Sequence, residues 1–162
     1  MSEVYNRGDF VAKSETIRRI QEADLDELIA LYAHYTVAEN RPPLSPARVQ
    51  EIWREIERNP GVEYFAVERE GRIVAACILT ITPSFLRGGS GYGVIEHVVT
   101  HEDFRRRGLA RTLMEFIMAH AWEKGCTEIM LLSGSDLAPA HKLYESLGFD
   151  KYGRTGFIKR KP

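Results

Sequence analysis

Residues 94–111 read VIEHVVTHEDFRRRGLAR and join a predicted strand to a predicted helix. The run from Val94 to Thr100 is rich in β-branched residues, which favour strands. Beyond it, apolar side chains recur at helical spacing from about Gly108 to Lys124. The junction concentrates positive charge, because it carries four arginines within seven positions: Arg105, Arg106, Arg107 and Arg111.

This junction has the chemistry of a phosphate site. A helix N-terminus presents unpaired N–H groups and the positive end of the helix dipole, and both favour anions. Gly108 and Ala110 let a ligand approach the backbone, and guanidinium groups match phosphate oxygens. A solvated charge run and a nucleic-acid patch are the alternatives. The dinucleotide-binding G-x-G-x-x-G pattern and the Walker A pattern are absent, so another ligand with several phosphates is predicted.

The composition sets limits on the class of protein. The chain has 162 residues, a formal net charge of −1, 44% apolar residues and two cysteines, which is typical of one soluble domain. The charge argues against a dedicated nucleic-acid binder, and the sequence has no membrane span. Residues 1–14 are predicted to be a loose extension of a domain at 15–162. The polar start and the few cysteines favour the reducing cytoplasm.

The remaining patterns predict a single α/β domain with a mixed sheet. Asp24 and Ser45 are the expected N-caps of two helices that precede a run of strands. The predicted order is a strand (16–20), two helices, strands (64–68, 73–82 and 94–100), a helix, a strand (128–133), a helix (138–147) and a final hairpin (149–152 and 157–159). Residues 69–72 are the predicted turn of the central hairpin.

Two motifs resemble the GNAT superfamily of N-acetyltransferases. The first, Arg105-x-x-Gly108-x-Ala110, follows the strand that ends at Thr100 and is similar to the family's acetyl-CoA signature. The second, residues 140–149 (AHKLYESLGF), is similar to the family's A-x-x-L/F-Y-x-x-x-G-F segment. The resemblance covers about residues 16–159. It implies a GNAT-type fold and acetyl-CoA as co-substrate. No metal is expected, because the five histidines show no metal-ligand spacing.

The resemblance also implies which residues hold acetyl-CoA. Backbone N–H groups and arginines at the junction would hold the pyrophosphate, while the end of the preceding strand would pair with the pantetheine arm. Leu137 departs from the family pattern, because many members have asparagine at this position. The neighbouring Asp136 would take over that asparagine's hydrogen bonds to the cofactor or contact the acceptor amine. The implied residues are Val98, Val99, Thr100, Arg105, Arg106, Arg107, Gly108, Leu109, Ala110, Arg111, Ser133, Asp136, Ala140 and Tyr144.

Acetyl transfer from a thioester to an amine needs a base, an oxyanion donor and an acid for the leaving thiolate. Glu96 is the predicted base, because burial in an apolar strand raises the proton affinity of a carboxylate. His97 is expected to face the other side of the sheet and to be structural, with a catalytic role as the alternative. The resemblance implies Tyr144 as the acid and the Val99 N–H as the oxyanion donor.

The sequence identifies the acceptor less sharply than the donor. The loops at 39–44, 83–92 and 153–156 are expected to set selectivity, and residues 93–99 (GVIEHVV) resemble the family's amino-sugar-phosphate branch. The prediction is a small primary amine. A protein N-terminal or lysine acetyltransferase and a non-catalytic CoA-binding regulatory module are the alternatives. The five histidines show no metal-ligand spacing, and the resemblance allows a homodimer.

Overall fold

The computed structural model describes residues 15–38 and 42–161. The predicted extension, 1–14, lies outside the described residues. The described residues form five strands and four helices, with short 3-10 turns at 22–24, 87–89 and 102–104. In chain order these are β1 (Glu15–Arg19), α1 (Leu25–Ala38), α2 (Pro46–Glu57), β2 (Val62–Arg69), β3 (Arg72–Thr82), β4 (Gly91–Thr100), α3 (Leu109–Glu123), β5 (Cys126–Leu131) and α4 (Ala138–Ser146).

The five strands form one sheet in the order β1-β2-β3-β4-β5. Strands β1 to β4 are antiparallel to their neighbours, and β5 runs parallel to β4. Helix α3 connects the two parallel strands, as such a pair requires a long crossover. The predicted mixed sheet is therefore confirmed.

Apolar side chains pack on both faces of the sheet. On one face, α3 buries Leu113, Met114 and Ile117 completely against β2, β3 and β4. On the other, α1 and α2 pack around Trp53 and the small strand residues Ala66 and Ala76. The sheet thus lies between two helical layers, and its central strands are almost wholly apolar.

Two local signals fold as the sequence predicts. The Ser45 side chain accepts a hydrogen bond from the Arg48 N–H at 3.3 Å and caps α2. Glu70 and Gly71 join β2 to β3 with φ of 54° and 74°, the left-handed pair of a two-residue hairpin turn. Both features depend on a few adjacent residues, so local sequence determines them.

The predicted N-cap role of Asp24 is wrong. Asp24 lies in the 3-10 turn before α1, where its carboxylate accepts the Gln21 N–H at 2.7 Å. It also accepts two hydrogen bonds from the Arg18 guanidinium, at 2.6 and 2.9 Å. These bonds from Arg18 hold the pKa of the Asp24 carboxyl below its usual value. Asp24 therefore ties the turn to β1 instead of capping the helix.

The predicted final hairpin is also wrong, because residues 149–161 form no strand. Ion pairs from Lys151 to Glu145 and from Arg154 to Glu128 attach this segment to α4 and β5. Two short apolar pieces separated by glycines pair only where a partner edge meets them. A β-carbon on Gly156 would lie 2.8 Å from a Leu132 methyl group, so the segment passes close to Leu132, just after β5, without pairing.

Candidate active site

Strands β4 and β5, at one side of the sheet, part before β4 ends. Their pairing runs from Gly91 opposite Cys126 to Ile95 opposite Leu131 and stops there. On its other side β4 stays paired with β3 as far as Thr100. Residues 96–100 therefore present a row of backbone N–H and C=O groups that no strand in the described part of the chain covers. This row, called here the open edge, can accept an extended ligand as an added strand.

A β-bulge lies at the start of the open edge. Glu96 pairs with Ile78 and Val99 with Ala76, so two residues of β4 stand opposite Cys77 alone. His97 adopts a left-handed backbone, with φ of 50°. The extra residue interrupts the alternation of side chains between the two faces of the sheet. The prediction that His97 faces away from Glu96 assumes an unbroken strand and is wrong here, because the bulge places both side chains on the same face of the sheet.

Both side chains also lie on the α1 face of the sheet. The His97 ring stands edge-on to Tyr32 of α1, with the ring centroids 5.9 Å apart. Glu96 belongs to a cross-strand row with Ile78 and Tyr64. The predicted burial of Glu96 is wrong, because it is an exposed residue where β4 has lost its β5 neighbour. The pKa of the Tyr64 hydroxyl is raised, first by burial and then by the negative charge of the Glu96 carboxylate.

Tyr32 contributes a buried polar group beside this pair. Its hydroxyl is inaccessible to solvent and has no hydrogen-bond partner among the described residues. Burial raises the pKa of this hydroxyl far above its usual value, so it stays protonated. Tyr64 is absent from the predicted site, because an aromatic residue in an alternating strand also fits a core position. Only the strand register shows that it neighbours Glu96.

The N-terminus of α3 has no side-chain cap. Its N-cap residue is Gly108, with φ of 83°, and the first intrahelical bond runs from the Thr112 N–H to the Gly108 carbonyl at 3.0 Å. The N–H groups of residues 109–111 therefore have no acceptor within the helix. Arg106 also adopts a left-handed backbone, with φ of 61°. The predicted anion site is an uncapped helix end in a tightly turned loop.

The arginines of the junction have different surroundings. Arg105 donates from Nε to the Thr100 carbonyl at 3.2 Å, and Arg107 lies over the Phe104 ring at 5.2 Å. Arg111 donates to Ser146 Oγ at 2.6 Å and so joins α3 to α4. Arg106 is exposed and has no hydrogen-bond partner within the described residues. It is the member of the cluster most available to a phosphate.

The other predicted contacts line the sides of the open edge. Val99 is buried in the core between the sheet and α1. Val98 packs against the core on the other face of the sheet, and Leu109, the first residue of α3, is buried in that same core. Thr100 is half-buried at the end of β4, and Ala110 is half-buried in the first turn of α3. These positions agree with a ligand that runs from the bulge to the helix end.

The opposite wall begins where β5 ends. Ser133 is half-buried, and Asp136 is exposed in the loop before α4, with its carboxylate folded back toward Gly134. Ala140 lies in the first turn of α4. Tyr144 of α4 is half-buried on the core under α3, edge-on to Phe149 at 6.1 Å between centroids. Tyr144 and Glu96 therefore belong to opposite faces of the sheet.

Residues 15–38 and 42–161 contain no group of three or more His, Cys, Asp or Glu side chains placed to hold a metal ion. No helix among these residues is both long and apolar enough to cross a membrane.

An open strand edge beside an uncapped helix end is the arrangement that the two sequence motifs predict. Residues 23–149 match the Acetyltransferase (GNAT) family. The chain therefore belongs to the GNAT family of acetyl-CoA-dependent N-acetyltransferases. The predictions of family, fold class and enzyme class are confirmed.

Three similar proteins show how far the likeness extends. A glucosamine 6-phosphate N-acetyltransferase of Trypanosoma brucei brucei is 34% identical over 140 residues, which cover 85% of this chain and 90% of that protein. A putative acetyltransferase from Agrobacterium tumefaciens matches with a TM-score of 0.82 and 32% identity, over 90% of this chain and 99% of that one. A transcriptional regulator from Bacillus halodurans matches with a TM-score of 0.83 and 26% identity, over 91% of this chain and 100% of that one.

Proposed function

We propose that the protein transfers the acetyl group of acetyl-CoA to a primary amine of a small molecule. The observation that carries this proposal is the parting of β4 from β5 after Ile95, directly before the uncapped N-terminus of α3. An extended thioester and a pyrophosphate need these two features in this order. The described residues supply both within one continuous stretch of chain.

The proposed donor site uses backbone groups more than side chains. The pyrophosphate would accept hydrogen bonds from the N–H groups at the start of α3, with Arg106 adding charge. The pantetheine arm would add to the open edge as a strand, flanked by Val98 and Leu109. Ser133 and Asp136 would border it from the β5 side. Bound there, acetyl-CoA supplies an activated acetyl thioester.

The proposed chemistry is direct attack of the amine on the thioester carbonyl. The exposed Glu96 carboxylate attracts the ammonium group of the acceptor and accepts a proton from its nitrogen, directly or through water. The Val99 N–H stabilises negative charge on the carbonyl oxygen as the C–N bond forms. When the C–S bond breaks, the Tyr144 hydroxyl protonates the thiolate. Because Glu96 is exposed, its proposed role depends on its negative charge and on its position at the open edge, and not on burial.

For the acceptor we propose an amino-sugar phosphate as the first class to test. The trypanosomal relative named above carries glucosamine 6-phosphate in its name and covers most of this chain. In the first predicted selectivity loop, residues 39–41 fall outside the described residues. In the last of these loops, at 153–156, the Arg154 guanidinium forms an ion pair with the Glu128 carboxylate at 3.1 Å. A protein acceptor and a regulatory module without turnover are the alternatives. The exposed pair of Glu96 and His97 on the open edge favours an enzyme.

Calorimetric titration with acetyl-CoA tests the donor site. We expect saturable binding that Arg106→Gln weakens severalfold. Arg48→Gln is the matched control, since Arg48 is an exposed arginine on α2 whose partners, Glu51 and Glu55, lie on the same helix. Absence of binding at millimolar acetyl-CoA would refute the family chemistry for this chain.

A thiol-release assay then tests the acceptor. The panel contains glucosamine 6-phosphate, glucosamine, an aminoglycoside, amino acids and a peptide with a free N-terminus. We expect the highest kcat/KM with a phosphorylated amino sugar. A preference for the peptide would favour the protein acetyltransferase, and binding of acetyl-CoA without turnover on any amine would favour the regulatory module.

We also propose that two copies associate through the C-terminal segment. The second edge of β5 has no partner strand in the described chain, and the nearby side chains of Phe157, Ile158 and Leu132 are 92%, 66% and 69% exposed. Apolar surface of this kind marks an association site. Phe157→Asp should reduce the mass measured by light scattering to that of a monomer. The control variant Phe85→Asp, which changes another exposed phenylalanine, should leave the measured mass unchanged.

The cytoplasm is the proposed compartment. Cys77 and Cys126 are both free and buried, as thiols of a reducing compartment are. Cell fractionation with an antibody against the native protein tests this proposal, and recovery in a secreted or membrane fraction would contradict it.

A further inference from the structure

We propose that His97 is a second proton-transfer residue, which takes the first proton from the ammonium group of the acceptor. The inference rests on the proposed function and assigns a role to a side chain that sequence reasoning treats as structural. It follows from the bulge in β4, the exposure of His97, the groups around it and the number of protons that the reaction moves.

The bulge holds His97 in an unfavourable backbone conformation. A left-handed φ costs free energy for any residue with a β-carbon, and such residues cluster at functional sites. A bulge also re-aims side chains beside active sites. Here it turns the side chain that would face the core under α3 toward α1 and the start of the open edge. The unfavourable backbone conformation of His97 thus places an imidazole next to Glu96.

The groups around His97 are neutral apart from one carboxylate. From α1 it faces the Tyr32 ring, whose buried hydroxyl stays protonated. From β3 it stands opposite Cys77, and burial raises the pKa of that thiol to about 12, so it is neutral. On its own strand it follows Glu96, which is exposed. Glu96 is therefore the charged neighbour of His97 among the described residues.

The reaction needs two proton acceptors on the amine side. A primary ammonium has three N–H bonds and the amide product has one, so two protons leave the nitrogen. An exposed carboxylate is a weak base near neutral pH, whereas imidazole titrates in that range. In the proposed sequence the His97 imidazole takes the first proton and later releases it to solvent, which frees the nitrogen lone pair.

The second proton leaves as the amide forms. The nitrogen attacks the acetyl carbonyl carbon, the C–N bond forms and the C–S bond breaks, with its electron pair going to sulfur. Tyr144 protonates the sulfur, and Glu96 accepts the second proton from the nitrogen. That proton returns through solvent to the Tyr144 phenolate, so one proton per turnover ends on the thiol and one in solvent.

The variant His97→Asn separates this role from a structural one. Asparagine adopts the left-handed backbone readily, so the bulge should persist, but it cannot carry the proton. We expect kcat/KM of the wild type to rise with pH across the near-neutral range in which imidazole groups in general change protonation. The variant should lose this limb and fall by about 10²-fold at pH 7.5, while its acetyl-CoA Kd stays unchanged. NMR titration of the His97 imidazole, assigned with the variant, should give a midpoint that matches the kinetic limb.

A second variant, His97→Gly, removes the side chain and leaves the backbone unstrained. Added imidazole should restore part of its activity if His97 transfers a proton. The inference is overturned if His97→Asn keeps the limb and stays within threefold of the wild-type rate, or if imidazole does not rescue His97→Gly. Failure of the proposed function would appear differently, as an absence of thiol release by the wild type with every amine. That result would overturn this inference as well.

Discussion

Two glycines of α3 offer a matched test of the helix end as the phosphate site. Gly108 precedes the helix and Gly125 follows it, both with φ of 83°, and a β-carbon on either would meet no atom within 4 Å. Alanine at either position therefore costs only the left-handed backbone penalty, about 1–2 kcal/mol. For a chain of this size that lowers Tm by about 2–8 °C. We expect Gly108→Ala and Gly125→Ala to destabilise the protein equally.

Their effects on acetyl-CoA binding should differ. The helix is 15 residues long, so the two glycines lie about 22 Å or more apart. A strained N-cap that relaxes moves the N–H groups of Leu109 and Ala110 away from the pyrophosphate. A loss of about 1 kcal/mol there raises Kd roughly fivefold by calorimetry, whereas Gly125→Ala should leave Kd unchanged. Equal Kd values for both variants, with equal Tm losses, would refute the assignment of the pyrophosphate to this helix end.

Three further predictions concern chemistry, packing and pH. Tyr144→Phe should lower kcat by about 10²-fold in the thiol-release assay and leave the acetyl-CoA Kd unchanged, and an unaltered kcat would remove its acid role. Leu113→Ala should destabilise the protein by about 3 kcal/mol in urea unfolding, because Leu113 is completely buried under α3; a loss below 1 kcal/mol would mean that the core closes over the cavity. Asp24→Asn should lower stability at neutral pH. Because Arg18 lowers the folded-state pKa of Asp24, the contribution is complete above the unfolded-state value, and the difference from wild type should shrink below about pH 4. A difference that does not change with pH would contradict this reasoning.

Features set by adjacent residues could be predicted from the sequence. The Ser45 cap, the turn at Glu70 and Gly71 and the uncapped helix start at Gly108 each depend on local backbone preferences. The proposed donor half of the candidate site is of this kind, because the phosphate contacts proposed for it come from one turn of chain. The predicted order of strands and helices as far as α4 follows from local periodicity in the same way.

Features set by strand pairing could not be predicted. The exposure of Glu96 depends on where β5 stops, and the direction of His97 depends on a bulge opposite Cys77. Neither partner is adjacent in sequence to β4. The missing final hairpin has the same origin, because residues 149–161 pass close to the end of β5 without pairing with its unpaired edge, and local sequence does not determine such long-range pairing. The proposed acceptor half of the site would depend on such long-range contacts, and this explains why the sequence identifies the acceptor less well than the donor.

The parting of β4 and β5 also affects the behaviour of the protein without substrate. Beyond Ile95, β4 becomes an edge strand with free backbone groups, which is the kind of surface that recruits other chains and starts aggregation. Acetyl-CoA seated there would cover this edge and, by mass action, would favour the folded state. Stocks of the protein should therefore keep their solubility longer when acetyl-CoA is present, so that the co-substrate also acts as a preservative.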